Sequence, residues 1–138
     1  MVHGESFTVR SQGFSDIRDI TQTVQQIVAR SGMSQGLANI TALGSTASVS
    51  TIEYEPALVE DLRELLERLV SRNLHSRHSA TWGDDNGFSH LRATLMGPSL
   101  TVPVADGTVL LGTWQQIVLI DHDNRPRDRL VRVQLSGE

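Results

Sequence analysis

The order of the predicted strands and helices constrains this fold more than any other feature of the chain. Residues 129–135, RLVRVQL, alternate with the period of two that is typical of a strand with one buried face. Turn signals such as Gly97-Pro98 and Asp106-Gly107 separate other short segments with strand character. These segments lie at residues 6–12, 36–43, 47–54, 90–96, 99–104 and 116–121.

Two helices are predicted between these strands, and residues 73–88 are predicted to be a long polar loop. The first helix begins at Ser15 or Asp16 and ends at Gly32, with an apolar face of Ile17, Ile20, Val24, Ile27 and Val28. The second begins at Pro56, and its apolar stripe contains Leu58, Leu62, Leu65, Leu66 and Leu69, of which Leu62 and Leu66 are predicted to be buried. The order β-α-β-β-α followed by a run of strands favours an α+β fold with largely antiparallel sheets.

Composition limits the classes of function. A chain of 138 residues fits one domain, residues 1–138. There are 12 Lys and Arg against 16 Asp and Glu, which argues against non-specific binding of nucleic acid. The absence of Cys excludes disulfides, thiolate nucleophiles and Cys-based zinc sites. No long apolar run and no signal-peptide pattern occur, so we expect a cytoplasmic protein without a membrane partner.

The stretch TWGDDNGFSHLR, residues 81–92, concentrates the groups that could do chemistry. One interpretation is a simple turn, because Asn86-Gly87 is the strongest hairpin dipeptide. The other places Asp84 and Asn86 at the mouth of a pocket, as a carboxylate and an amide for a ligand or Mg²⁺. His90 is predicted to begin a strand there, and an imidazole with a pKa near 6.5 suits proton transfer. Trp82 is predicted to anchor the loop by packing.

Two further sets of residues are candidates for the same pocket. Ser45 and Thr46 begin a predicted strand that Glu53 follows, so Glu53 either faces the pocket or is a solvated residue that helps to cap the next helix. Arg127 and Arg129, with Arg125, are either an anion site, because guanidinium groups match phosphate oxygens, or a solvated turn paired with Asp121, Asp123 and Asp128.

Several motifs in the second half of the chain resemble one family. They are WGDDNG at 82–87, HL at 90–91, GPS at 97–99, LLGTWQ at 110–115 and PRDR at 126–129. In the first half of the chain, the segment 44–62, GSTASVSTIEYEPALVEDL, is similar to the central segment of the same family. The chain resembles the YjbQ family, also called the secondary thiamine-phosphate synthase family, over nearly its whole length.

The resemblance implies a compact, sandwich-like α+β fold and a homotrimer. It also implies a weak thiamine phosphate synthase activity, which joins a hydroxymethylpyrimidine diphosphate to a thiazole phosphate and releases pyrophosphate. The principal enzymes of that reaction are (β/α)₈ barrels, which need roughly 200 residues or more. A chain of 138 residues cannot be such a barrel, so the activity would have arisen on a different scaffold.

The chain departs from the family pattern where Gly44 and Phe88 replace histidines that are common in members. Members often have a histidine at His78 and a glutamate at Glu53. Tight binding of a transition metal normally needs three protein ligands, so His78 and His90 would require Asp84 or Glu53 as a third. No firm metal site is predicted; we expect weak zinc binding or none, and at most Mg²⁺ carried by a phosphorylated ligand.

Two classes of function follow from these observations. In the first, the protein is an enzyme acting on phosphorylated heterocycles, with Asp84, Asn86, His90 and Glu53 as catalytic residues. In the second, it is a non-catalytic trimeric module that binds a phosphorylated metabolite or anion. In both, the ligand-binding residues are Ser45, Thr46, His78, Arg127 and Arg129.

Overall fold

A computed structural model describes all residues of the chain, 1–138. It contains eight strands and four helices. In chain order these are β1 (Val2–Ser11), β2 (Asp16–Asp19), α1 (Thr21–Ser31), β3 (Gln35–Ala42), β4 (Ala47–Ile52), α2 (Pro56–Leu69), α3 (Arg77–Trp82), α4 (Gly87–Met96), β5 (Ser99–Ala105), β6 (Thr108–Val109), β7 (Gln116–Asp121) and β8 (Arg127–Gly137). No helix is both long enough and apolar enough to cross a lipid bilayer.

The strands form two antiparallel sheets, so the predicted α+β class is confirmed. One sheet has the order β1-β8-β3-β5-β6 and the other the order β2-β7-β4. The main apolar core contains residues of both sheets and of α1, including Val24, Ile40, Leu119 and Val133. A smaller cluster around Ile17, Val118 and Ile120 covers the other face of the three-stranded sheet and packs against residues of α2 and α4. The resulting layers are five strands, the main core with α1, three strands, and the pair α2 and α4.

Several local predictions are confirmed. Residues 129–135 lie within β8, and Arg129, Val131, Val133 and Leu135 are all buried. The second helix begins with Pro56 in its first turn, where Glu55 accepts hydrogen bonds from the backbone nitrogens of Ala57 and Leu58. The first helix ends at Gly32, whose φ of 75° is the left-handed conformation that glycine adopts readily.

The predicted start of the first helix is wrong. Residues Asp16–Asp19 form β2, which pairs with β7 in a register from Asp16↔Asp121 to Asp19↔Val118. Ile17 therefore packs in the smaller cluster with Val118 and Ile120, and not on the apolar face of α1. The helix begins at Thr21, and the Asp19 carboxylate accepts hydrogen bonds from the Thr21 backbone nitrogen and hydroxyl.

The prediction of a loop at 73–88 and a strand at 90–96 is also wrong. Residues Arg77–Trp82 form α3 and residues Gly87–Met96 form α4, so the fold has four helices and not two. The buried side chains of α4 are those of Phe88, Ser89, Arg92 and Ala93, which recur at helical spacing after the buried Gly87. Arg92 lies in the middle of this buried face, and a charged residue there hides the helical pattern.

The second helix offers a prediction for stability. Leu66 is 4% exposed, whereas Leu62 is only partly buried against the smaller cluster and Leu65 and Leu69 are exposed. We expect Leu66→Ala to lower the free energy of unfolding by about 2–3 kcal/mol and Leu62→Ala by about 1 kcal/mol, because less apolar surface is lost at Leu62. Urea unfolding of both variants tests this, and equal losses would contradict the assigned helix face.

Candidate functional site

The turn between α3 and α4 brings three predicted site residues together. Gly87 permits this, since a Cβ there would lie 2.0 Å from the Ser76 hydroxyl oxygen, at the start of α3. The Asn124 side-chain nitrogen donates to the Asp84 carbonyl oxygen at 2.8 Å, which holds the turn against the end of β7. As a result His78 on α3, Asp84 in the turn and His90 on α4 lie side by side.

The imidazole rings of His78 and His90 are in contact. Their centroids are 4.5 Å apart, with an angle of 47° between the ring planes. His78 Nδ1 lies 3.4 Å from an Asp84 carboxylate oxygen, yet it is shielded from solvent and makes no well-directed hydrogen bond. Buried polar atoms without a partner are rare in folded proteins, so this nitrogen marks the turn as a candidate site.

The environment of His90 favours its neutral form. Burial is the main cause that lowers the pKa of His90 below 6.5, the neighbouring His78 acts in the same direction, and the carboxylates of Asp123 and Asp84 oppose them. No hydrogen bond joins the His90 ring to the rest of the protein. A neutral, unengaged imidazole can accept a proton or donate its single N–H at neutral pH.

Asn86 lies between two carboxylates and is buried. In one orientation of its amide, the nitrogen donates to Asp123 at 3.3 Å. In the other, the nitrogen donates to both Asp84 oxygens at 3.0 and 3.1 Å, which are the shorter contacts. The amide nitrogen therefore donates to only one carboxylate at a time, and the shorter contacts favour the orientation in which Asn86 positions Asp84.

A buried charge network supports the site from behind. Arg129 donates from Nε and Nη2 to the two Asp121 oxygens at 2.8 and 2.7 Å. Burial acts to raise the pKa of Asp121, but the hydrogen bonds from Arg129 and Ser11 outweigh it, and the pKa lies below its ordinary value. The Thr46 hydroxyl accepts from Arg129 and donates to Asp123, and Arg127 forms an ion pair with Asp123 at 2.8 Å. The arginines are therefore paired with Asp121 and Asp123, as the solvated-turn interpretation proposed, but the carboxylates are buried.

His90 separates two adjoining pockets. One, of about 170 Å³, is lined by Gly44, Ser45, Ala47, His90, Ala93, Thr94 and Pro98. The other, of about 320 Å³, is lined by Leu74, His75, Ser76, Arg77, His78, Gly87, His90 and Leu91. Ser45 and His90 thus line one pocket and His78 and His90 the other, while Thr46 and Arg129 are buried close to the Ser45 loop.

Three predicted features of the site lie elsewhere. Glu53 follows β4 at the end opposite to Ser45 and Thr46, and lines a separate pocket with Trp114 and Tyr54, so the structure does not bring it to His90. Trp82 is 73% exposed and does not anchor the turn by packing. Phe88 is buried beneath the Arg92 guanidinium, 5.0 Å from its ring centroid, and lines neither pocket.

The sequence did not identify His122 or Arg92 as residues of the site. His122 was assigned to a turn, and Arg92 was assigned to the predicted strand 90–96. Arg92 donates to the Ser15 hydroxyl oxygen at 3.0 Å, so Ser15 directs its own hydrogen to His122 Nδ1 at 2.7 Å. His122 Nε2 then carries the ring hydrogen and donates to Ser48 at 2.9 Å. The apolar run of β7 followed directly by Asp121-His122-Asp123 is the sequence signal that could have revealed this network.

The buried His122 makes a prediction for pH dependence. Burial chiefly, with the nearby Arg92 charge, lowers the pKa of His122 to about 4. The unfolded state, with a pKa near 6.5, binds more protons between pH 6.5 and 4, so the free energy of unfolding falls as the pH falls through this window, by about 3 kcal/mol. His90 contributes in the same direction. Urea unfolding at several pH values tests this: we expect the free energy of unfolding to depend less on pH in His122→Gln than in the wild type. The exposed His75 is the control, and His75→Gln should show the wild-type dependence. An unchanged slope in His122→Gln would contradict the assignment of the pH dependence to His122.

The side chains present do not form a transition-metal site. No group of three or more His, Asp or Glu residues in the chain is arranged to hold a metal ion. His78 contacts His90 and lies beside Asp84, but the only close approach of a carboxylate to either imidazole is the 3.4 Å contact of Asp84 with His78. Weak zinc binding or none therefore stays a prediction.

The chain is similar to known proteins in both sequence and fold. The sequence model of the family described as UPF0047 protein YjbQ-like matches residues 5–138. A UPF0047 protein from Methanothermobacter thermautotrophicus is 36% identical over 99% of this chain and 94% of its own length. A hypothetical protein from Aeropyrum pernix has a similar structure, with a TM-score of 0.92, 32% identity and 99% of each chain covered. A protein from Sulfolobus solfataricus, described as YbjQ-like and of unknown function, gives a TM-score of 0.90 at 30% identity over the full length of both chains.

Proposed function

The chain belongs to the UPF0047 YjbQ-like family, and from this premise we propose that it is a weak thiamine phosphate synthase. The reaction joins a hydroxymethylpyrimidine diphosphate to a thiazole phosphate. The observation that carries the proposal is that His90 lines two adjoining pockets, of about 170 and 320 Å³. A reaction between two small phosphorylated rings needs two such places with a shared wall of polar groups.

The chemistry of the reaction fits the side chains of this surface. The thiazole nitrogen attacks the methylene carbon of the pyrimidine, the carbon–oxygen bond to the diphosphate breaks, and pyrophosphate leaves with the electron pair. The groups required are those that stabilise negative charge on the departing oxygens. His78 and His90 supply imidazole N–H donors, Ser45 supplies a hydroxyl, and Arg129 supplies a guanidinium behind them.

Asp84 fits a supporting role in this reaction. Its carboxylate is 43% exposed beside His78. Mg²⁺ is commonly held by one or two carboxylates together with substrate phosphates, and in that setting it would neutralise the charge of the diphosphate. Asp84 is the residue that would hold it, and Asn86 would orient Asp84.

The activity is tested by supplying both precursors with Mg²⁺ and measuring thiamine phosphate by its conversion to a fluorescent product. We expect product above the rate without protein, with the rate saturating in both precursors. Binding of either precursor without turnover would overturn the proposal and support the second class of function, a non-catalytic module for phosphorylated metabolites.

We also propose that the protein is a homotrimer. Exposed leucines of α2, α4 and the segment after α2 line a groove of about 560 Å³, and they include Leu69, Leu74, Leu91 and Leu95. Exposed apolar surface of this kind favours association. Light scattering is expected to give three times the 15.2 kDa mass of one chain, and Leu69→Glu is expected to shift the population towards monomer. A stable wild-type monomer at micromolar concentration would contradict this.

A further inference from the structure

Arg129 carries hydrogen-bond donors that the protein does not use. Its side chain is nine-tenths buried, and Nε and Nη2 are bonded to Asp121 and Thr46. Nη1 makes no hydrogen bond within the protein, although a guanidinium has five N–H groups to place. Nη1 lies 3.0 Å from the point where a Cβ at Gly44 would be. The free end of a buried arginine therefore lies directly beside Gly44, in the wall of the smaller pocket.

The backbone next to Nη1 also has unused donors. The loop of residues 43–46 connects β3 to β4, and Leu43 donates its backbone N–H to the Leu130 carbonyl oxygen. The following backbone N–H groups, those of Gly44, Ser45 and Thr46, have no acceptor within the protein. Consecutive free N–H groups in a turn are a common binding element for phosphate and other anions.

We propose that the Gly44–Ser45–Thr46 loop and Nη1 of Arg129 form a subsite for a phosphate group of the ligand. The proposal rests on the proposed function, because it assumes that the ligands of this pocket are phosphorylated. Phosphate oxygens each accept several hydrogen bonds, and arginine and backbone N–H groups are their usual partners. His90 and Ser45, which line the same pocket, add an imidazole and a hydroxyl at its edge.

The charges around the loop define which phosphate chemistry fits. The charge of Arg129 is balanced by Asp121, and that of Arg127 by Asp123. The subsite therefore recognises its anion mainly by directed N–H donors, which favours a tetrahedral oxyanion such as a phosphate ester over a planar carboxylate. Arg127 is a poorer candidate than Arg129, since Nη1 of Arg129 is the guanidinium atom that lies beside Gly44, whereas Arg127 is bonded to Asp123.

Gly44 permits a sharp test, because Gly44→Ala leaves every charge in place. Its φ is not left-handed, so alanine causes no backbone strain, but the new methyl group lies 3.0 Å from Nη1 and obstructs it. Gly112→Ala is the matched control, since Gly112 is also free of a left-handed φ and a Cβ there meets nothing closer than 3.7 Å.

The experiment is a titration of the full chain with inorganic phosphate and with pyrophosphate, followed by amide chemical shifts in ¹H–¹⁵N spectra. We expect saturable shifts at Gly44, Ser45 and Thr46 in the wild type and in Gly112→Ala, and a Kd at least tenfold higher in Gly44→Ala. Wild-type spectra without saturable shifts in this loop would overturn the proposal, whatever the stability of the variants. Undiminished binding by folded Gly44→Ala would also overturn it.

The two proposals fail separately. Phosphate binding in the loop without formation of thiamine phosphate would remove the proposed activity and leave the subsite. Formation of thiamine phosphate by Gly44→Ala with unchanged KM for both precursors would remove the subsite and leave the activity.

Discussion

Replacing His90 with alanine is expected to lower the rate of thiamine phosphate formation about 100-fold or more, which is the usual effect of removing one hydrogen-bond donor to a developing negative charge. The same change is expected to leave the melting temperature and the oligomeric state nearly unchanged. The His90 ring is only partly buried and makes no hydrogen bond within the protein, so its removal breaks no hydrogen bond and loses mainly the ring contact with His78. Initial rates with both precursors and a thermal melt of each variant provide the measurement.

Two companion variants separate the roles at this site. Asp84→Ala is expected to lower the rate with a similarly small effect on stability, because its carboxylate is exposed. His3→Ala is the control, since His3 is a partly exposed histidine on β1 that lines neither pocket. If both His90→Ala and Asp84→Ala unfold the protein, residues 81–92 are structural and the assignment of the site is wrong.

The pH dependence of the rate tests which form of His90 acts. Burial, reinforced by His78, lowers the pKa of His90, so the neutral ring persists below pH 6.5. If the neutral form is required, the rate falls only as the pH passes below that lowered pKa. His90→Gln, which keeps a hydrogen-bonding side chain that does not titrate, should lack this step; a step of the same size in His90→Gln would assign it to another group.

Asp121→Ala is expected to lower the free energy of unfolding by about 3–5 kcal/mol, the cost of breaking a buried ion pair by removing one partner. Arg129 would remain buried without the two carboxylate oxygens that now accept at 2.8 and 2.7 Å. Ser11 would also lose its acceptor. Urea unfolding at pH 7 measures the loss.

Asp128→Ala is the matched control for Asp121→Ala. Asp128 pairs with Arg10 at 3.3 Å, and both side chains are more than 60% exposed. Exposed pairs of this kind contribute about 0–1 kcal/mol, so the control should change stability little. Because the pKa of Asp121 is lowered in the folded state, its contribution is present at neutral pH and is lost as the pH falls below the unfolded value. Equal losses in the two variants at pH 7 would contradict the burial of the Asp121–Arg129 pair.

The sequence by itself determined those parts of the fold whose pattern is local and uniform. Residues 129–135 alternate over their whole length, so β8 and its buried face follow from period alone. Pro56 at the start and the leucines after it define α2, although only the structure shows that Leu69 faces out. The motifs of residues 81–92 also predicted one site; the structure brings Asp84 and His90 close to His78, and the function of these residues stays a prediction.

The tertiary structure decided the features that depend on a distant partner. Residues Asp16–Asp19 are a strand because β7 supplies their hydrogen-bonding partners, and no local pattern records that pairing. Arg92 and His122 are buried because Ser15, Glu67 and Ser48 from other elements satisfy them. A polar residue considered alone predicts exposure. Its burial becomes favourable only when a residue that is distant in sequence lies close enough to supply an opposite charge or a hydrogen bond. Glu53 lies far from Ser45 for a related reason. The two residues flank opposite ends of β4, and an extended strand keeps its two ends apart.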